Sequence, residues 1–262
     1  MNLLRWTVFA WLLASTNFVH STTHILYYDG NAVYVGSDSM RTYGGANRAV
    51  TTSCKVATGS GALLTMSGRT FKEASKQRPI AGNVDFVLEV RPYAEEILRK
   101  NEPIENKIKE LEERIHLTLL AAWQADYRTG SDHIESYNVS ILLVRFVDDV
   151  PLISHFGVRI KDWQKGPEPP EEEGKEQRMA KFYPYLEDGG DNDPARKEFY
   201  HLVAPGKDRD NPVEFVEAFF NRESQTESKD VGPPFSIYKM TPRSITLTTI
   251  PEGLTFCPQP RP

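Results

Sequence analysis

Residues 22–45 read TTHILYYDGNAVYVGSDSMRTYGG. Two β-rich runs, THILYY and AVYVGSDS, flank Asp29-Gly30-Asn31. Asp-Gly between such runs predicts a hairpin, because both residues tolerate the positive φ that a tight turn matching strand twist demands. The device recurs at once. KVAT and ALLTMSG, within residues 55–68, surround a Gly-Ser-Gly turn. The runs are mostly apolar, so the sheets they build are buried on at least one face.

Outward from these hairpins the period changes. Residues 84–100, VDFVLEVRPYAEEILRK, show helical spacing, with Phe86, Val90, Tyr93, Ile97 and Leu98 expected on one side. Asn101-Glu102-Pro103 ends that helix. A longer one follows over residues 104–127, with Ile104, Ile108, Leu111, Ile115, Leu119 and Trp123 as its stripe. Its heptad flavour is too brief for a coiled coil. SYNVSILLVRFV and PLISHFGVRI around Asp148-Asp149 predict a third hairpin. A short strand FYHLVA, a helix NPVEFVEAFF and the strands FSIYKM and SITLTTI complete the chain. Blocks of antiparallel strands alternating with helices predict an α+β domain rather than a parallel βαβ fold. Residues 165–195, Pro/Glu-rich and then acidic, read as a flexible, solvated insertion.

Composition bounds the function. The 262 residues are 39% hydrophobic and 26% charged, enough for one large core, and the formal charge of −5 argues against nucleic acid as a partner. Residues 1–21 read as a secretory signal peptide: Arg5, the apolar run WTVFAWLLA, then Val19 and Ser21 at the small-residue positions before a cut. The run is too short to span a bilayer, so the expected mature chain, residues 22–262, is a single exported domain without a membrane anchor. Cys54 and Cys257 could pair in an oxidising compartment, or could equally stand as two buried thiols. Asn138-Val139-Ser140 is a glycosylation sequon, set within an expected strand. Two cysteines and six scattered histidines offer no metal-ligand spacing, so neither metal nor cofactor is expected. No G-x-S-x-G or P-loop occurs.

A cut after Ser21 would expose Thr22. A hydroxyl is a poor nucleophile unless a base removes its proton. A free α-amine, with a pKa of about 7.7–8.0, can be that base near neutrality. An N-terminal threonine therefore carries nucleophile and base on one residue. The stretch quoted above, followed by Lys55 and Thr65-Met66-Ser67-Gly68, resembles the N-terminal half of proteasome β-type subunits, which are N-terminal nucleophile hydrolases. Asp38 follows Thr22 by sixteen residues, as in that family, and residues 38–44, DSMRTYG, match its D-S-x-x-T-x-G segment. The match is close over residues 22–68, holds in kind over the helix pair, and thins after residue 150.

That resemblance implies a four-layer αββα sandwich of antiparallel sheets. It also implies roles. Thr22 Oγ attacks a peptide or small-amide carbonyl and forms an acyl-enzyme. Lys55 keeps the amine neutral, Asp38 orients Lys55, and the Gly68 N–H stabilises the oxyanion. Thr42 aligns the substrate backbone and Met66 sits at the side-chain pocket. Family members usually expose their threonine by self-cleavage after a glycine; Ser21 stands there in this chain, so signal peptidase is expected to do the exposing. The family's late serine-glycine pair has no counterpart in HLVAPGKDRD, residues 201–210, and Ser228 or Asp230 are the candidates for its late aspartate-serine pair. Three other readings stand beside this one: an inactive secreted binding protein, an intracellular proteasome β-type subunit whose first 21 residues are a propeptide and which assembles into a homo-oligomer or ring, and an amidase or acylase using the same threonine.

Overall fold

The structure, a computed structural model, describes residues 24–38, 40–42, 50–52, 54–68, 86–128, 138–159, 165–166, 176–179, 185–187, 211–226, 233–249 and 257. Hairpin chemistry sets the first strands. β1 (His24–Tyr28) and β2 (Val33–Asp38) pair antiparallel with Leu26 opposite Val35. Gly30 takes φ 101°, and Asp29 Oδ1 accepts from the Asn31 and Ala32 amides at 2.7 Å each. The side chain thereby satisfies turn amides that the ladder cannot reach. β3 (Met40–Thr42) and β4 (Val50–Thr52) form a small separate hairpin. β5 (Val56–Gly59) and β6 (Ala62–Gly68) join through Ser60 and Gly61, both at positive φ. β7 (Asn138–Val147) and β8 (Val150–Arg159) join through Asp148 and Asp149 in the same way.

Two five-stranded antiparallel sheets result. β9 (Gln177–Arg178), β10 (Tyr185–Glu187), β11 (Phe235–Thr241) and β12 (Ser244–Thr249) complete them. The first sheet runs β10-β1-β2-β11-β12 and the second β5-β6-β7-β8-β9. The helices are α1 (Phe86–Arg99), α2 (Ile104–Arg128) and α3 (Pro212–Thr226). The molecule is α+β, with its strands antiparallel throughout the pairs described.

Strand alternation sorts the core into three clusters. On one face of the first sheet, Ile25, Tyr27, Tyr34 and Ile237 meet Phe215, Val216, Phe219 and Phe220 of α3. On its other face, Leu26, Val33, Val35 and Tyr238 meet Leu63, Leu142 and Val144 of the second sheet. The far side of the second sheet, with Leu64, Ile141, Leu143 and Phe156, packs on Val90, Leu98, Leu111 and Ile115 of the helix pair. Each such side chain, fully buried, contributes about 1.5–3 kcal/mol.

Close approach is purchased with glycine at two points. A Cβ on Gly59 would lie 2.9 Å from Leu98 Cβ, so glycine lets α1 settle onto β5. A Cβ on Gly36 would lie 2.5 Å from Val216 Cγ1 and 2.6 Å from the Phe220 ring. Lys107 Nζ donates to the Leu98 carbonyl at 2.9 Å, tying α2 to the C-terminal turn of α1; burial holds its ammonium below the usual lysine range.

Three features differ from the sequence reading. Tyr93 lies at the margin of α1, 36% exposed, with the Arg114 guanidinium 3.8 Å over its ring. Ala94 takes the core position instead, because Val90, Ala94 and Ile97 follow the i, i+4, i+7 stripe. Within residues 165–195 two short strands appear: β9 pairs with β8 and β10 with β1. Gly166, at φ 82°, is buried against the Trp123 indole. Finally, α3 runs six residues beyond NPVEFVEAFF through a polar last turn and a half, where apolar periodicity gives no signal. The expected strand FYHLVA lies outside the described residues.

Two measurements test this packing. Gly36→Ala inserts a methyl into the α3 contact and should lower unfolding free energy by about 1–3 kcal/mol in urea titration. Burial pushes the Tyr238 phenol up to about 12. Between that value and the unfolded value of about 10, the folded chain keeps a proton the unfolded chain has lost, so stability falls as pH rises through this window. Tyr238→Phe should make the fall shallower in unfolding curves recorded across it.

Candidate functional site

β2 ends on Asp38, opposite Phe235 at the start of β11. Lys55 stands just before β5, where its carbonyl accepts the Met66 amide at 3.0 Å. Residue 55 is thus bonded into the second sheet through its backbone. Its side chain crosses to the first sheet, where Nζ donates to Asp38 Oδ1 at 3.1 Å and Oδ2 at 3.0 Å. Asp38 is fully buried and Lys55 2% exposed. Taking both charges out of water is costly, and only close pairing offsets it. The result is a fixed cation at the junction of the two sheets.

The surroundings restrain that cation from several sides. Arg91 Nε donates to the Val56 carbonyl at 3.0 Å, while its Nη2 pairs with Glu95 at 2.7 Å, locking α1 to the edge of β5. Cys54, next to Lys55, is disulfide-bonded to Cys257, with a Cα–Cα separation of 5.1 Å. Ser236 Oγ lies 3.4 Å from Cys257 Sγ, and Tyr238 Oη 3.9 Å from Cys54 Sγ. Ser236 in turn pairs across β11–β2 with Ser37, the neighbour of Asp38.

The inward-facing side of the sandwich is apolar in its middle and polar at this end. His24, Ser37, Thr65 and Ser236 are all buried here. Ser140 Oγ and His155 Nε2 form a 2.6 Å hydrogen bond on the second sheet. That pair escapes a scan for motifs, yet the two-residue turn at Asp148-Asp149 encodes it. The turn fixes Leu142 opposite His155, which makes Ser140 and His155 diagonal neighbours.

The sequence-derived residues fall as follows. Asp38 and Lys55 are brought together. Gly68 closes β6, with its backbone paired to Val139 and its position two residues beyond Met66. Thr42 ends β3, opposite Val50. Met66 is buried in the cluster beneath α1 and α2, and the following residues, 69–85, lie outside the described residues. Asn138 opens β7 opposite Arg159. Thr22, Ser228 and Asp230 also lie outside the described residues; His24, the first described, starts β1 against Ser37. Among the described residues no group of three or more His, Cys, Asp or Glu could hold a metal ion.

A bidentate, buried ammonium–carboxylate pair can hold a positive charge in place beside a reacting group, where it stabilises an anion or lowers the proton affinity of an adjacent amine. Removing one partner strands the other. Lys55→Met should therefore lower unfolding free energy by about 3–5 kcal/mol, and Lys55→Met/Asp38→Leu should recover most of that loss. A double-mutant cycle by urea denaturation measures the difference.

No family model matches the chain, and no curated protein matches it. Among solved structures it is similar to the Anbu (Gly-1) mutant from Hyphomicrobium sp. strain MC1, at 12% identity and a TM-score of 0.49, over 87% of this chain and 85% of that one. It is also similar to Anbu (ancestral beta-subunit) from Yersinia bercovieri, at 13% identity and a TM-score of 0.46, over 87% of each chain.

Proposed function

We propose that this chain is an exported, proteasome-like N-terminal threonine hydrolase that cuts peptide or small-amide bonds through an acyl-enzyme. The observation that carries the reading is the buried Asp38–Lys55 pair: Asp38 follows Ser37, which opposes His24 at the start of the strand that Thr22 precedes by two residues. Removal of residues 1–21 frees the Thr22 amine. The fixed Lys55 charge keeps that amine unprotonated, so it can accept the Thr22 hydroxyl proton as Oγ attacks the substrate carbonyl. The amine then passes the proton to the departing amine, and an ester on Thr22 remains. Water, deprotonated by the same amine, releases the acid product and restores the hydroxyl. The Gly68 N–H is the assigned donor to the oxyanion, Thr42 the assigned contact to the substrate backbone, and Met66, buried beneath the helix pair, the assigned apolar backing of the side-chain pocket.

The wider architecture supports the same reading. Helix pair, second sheet, first sheet and α3 share three apolar clusters, as a four-layer αββα sandwich requires. The Cys54–Cys257 bond supports export, since disulfides persist in oxidising compartments. Glycosylation at Asn138 belongs to the same proposal.

Mass analysis of the secreted protein, before and after exposure to an N-terminal-threonine-directed covalent probe, tests it. The expected result is a mature chain beginning at Thr22 that gains one probe on that residue, with no gain in Thr22→Ala. A different mature N-terminus, or folded protein that takes up no probe, overturns it; the second outcome favours an inactive binding protein of the same shape.

A further inference from the structure

Cys54 and Lys55 are adjacent, so whatever fixes the first fixes the backbone of the second. Cys54 is 2% exposed and packs in the cluster between the sheets, where Cys257 also contributes. The bond joins the segment entering the second sheet to a C-terminal residue lying on the first, where Cys257 Sγ meets Ser236 Oγ. Ser236 faces Ser37, and the next pair along that ladder is Phe235 with Asp38. One covalent link and one ion pair therefore bridge the same two sheets at the same end, one residue apart on both sides.

We propose that the Cys54–Cys257 bond is a redox latch on the candidate site: intact, it holds Lys55 against Asp38, and reduced, it lets residues 54 and 55 move away from the first sheet. The reductant is a dithiol. Cys257 is partly exposed and Cys54 buried, so the attacking thiolate reaches the bond from the Cys257 side. It forms a mixed disulfide with Cys257 and expels Cys54 as thiolate, which takes up a proton. The second thiol of the reductant then displaces Cys257. Two electrons pass to the protein, two protein thiols form, and the reductant leaves as a cyclic disulfide. Cys54 and Cys257 act here as positioning residues, through Lys55. Loss of turnover on reduction rests on the N-terminal threonine reading; release of Lys55 does not.

The test separates the two. The full mature protein is exposed to an amine-acetylating reagent with and without dithiothreitol, and modification of each lysine is read by peptide mass spectrometry. Lys107 is the internal control, since it is also buried but bonds to the Leu98 carbonyl between the helices. Reduction should speed acetylation of Lys55 about tenfold, the mark of a local opening, and leave Lys107 unchanged. Cys257→Ser should do the same without reductant. The rate of probe attachment at Thr22 should fall in parallel. If Lys55 stays protected once both thiols are free, the latch is wrong. If Lys55 and Lys107 open together, the bond is a general staple and the latch is again wrong. If Lys55 alone opens while Thr22 takes no probe even in the oxidised protein, the latch stands and the threonine-hydrolase reading falls.

Discussion

An ammonium and a carboxylate, each shut off from water, meet where the two sheets of this protein converge. Much depends on that contact. Lys55 is anchored in one sheet through its carbonyl and in the other through its side chain, so the sheets cannot slide past each other at this end without separating opposite charges in a medium of low dielectric. Apolar contacts fix the spacing of the layers but not their registry, because dispersion and the hydrophobic effect have little directionality. The bidentate pair supplies direction. A hydrophobic pair of similar volume should hold the layers nearly as well, which is a reason to look for the pair's value in chemistry as well as in folding.

The rest of the polar end is arranged around that point. Arg91 reaches from α1 to the Val56 carbonyl, the backbone group just after Lys55. The disulfide holds the residue just before it. Three kinds of restraint, ionic, covalent and hydrogen-bonded, thus act on three consecutive residues, 54 to 56. A side chain with four rotatable carbons becomes a fixed charge only when its backbone is held in this way.

Local chemistry in the sequence was enough for most of the fold. Asp29-Gly30 and Asp148-Asp149 specify turns whose registers propagate along whole strands. The α2 stripe from Ile104 to Trp123 packs as its spacing predicts. What escaped is what tertiary contact decides. β9 and β10 are two and three residues long and exist because β8 and β1 offer free edges, not because Gln177-Arg178 or Tyr185–Glu187 prefer extended backbone. Tyr93 and Ala94, three and four positions after Val90, fit a helical stripe equally well by spacing, and only packing puts Ala94 in the core and Tyr93 at its margin. At the site, Asp38 and Lys55 were singled out by a family resemblance; nothing in their own spacing announces a shared bond. Cys54 has one possible partner in a chain of two cysteines, but whether the two bond across 203 residues depends on their Cβ atoms meeting, which spacing does not encode.

The short strands of the acidic segment have an effect beyond their size. β9 lies along the outer side of β8 and β10 along the outer side of β1, so a single stretch of chain covers a border of both sheets in turn. An uncovered border is a row of vacant amides and carbonyls that invites another molecule's strand. Seen this way, Gln177–Arg178 and Tyr185–Glu187, five residues that look dispensable, act as weatherproofing. Trimming these two strands to obtain a tidier protein would bare part of both margins at once and invite self-association.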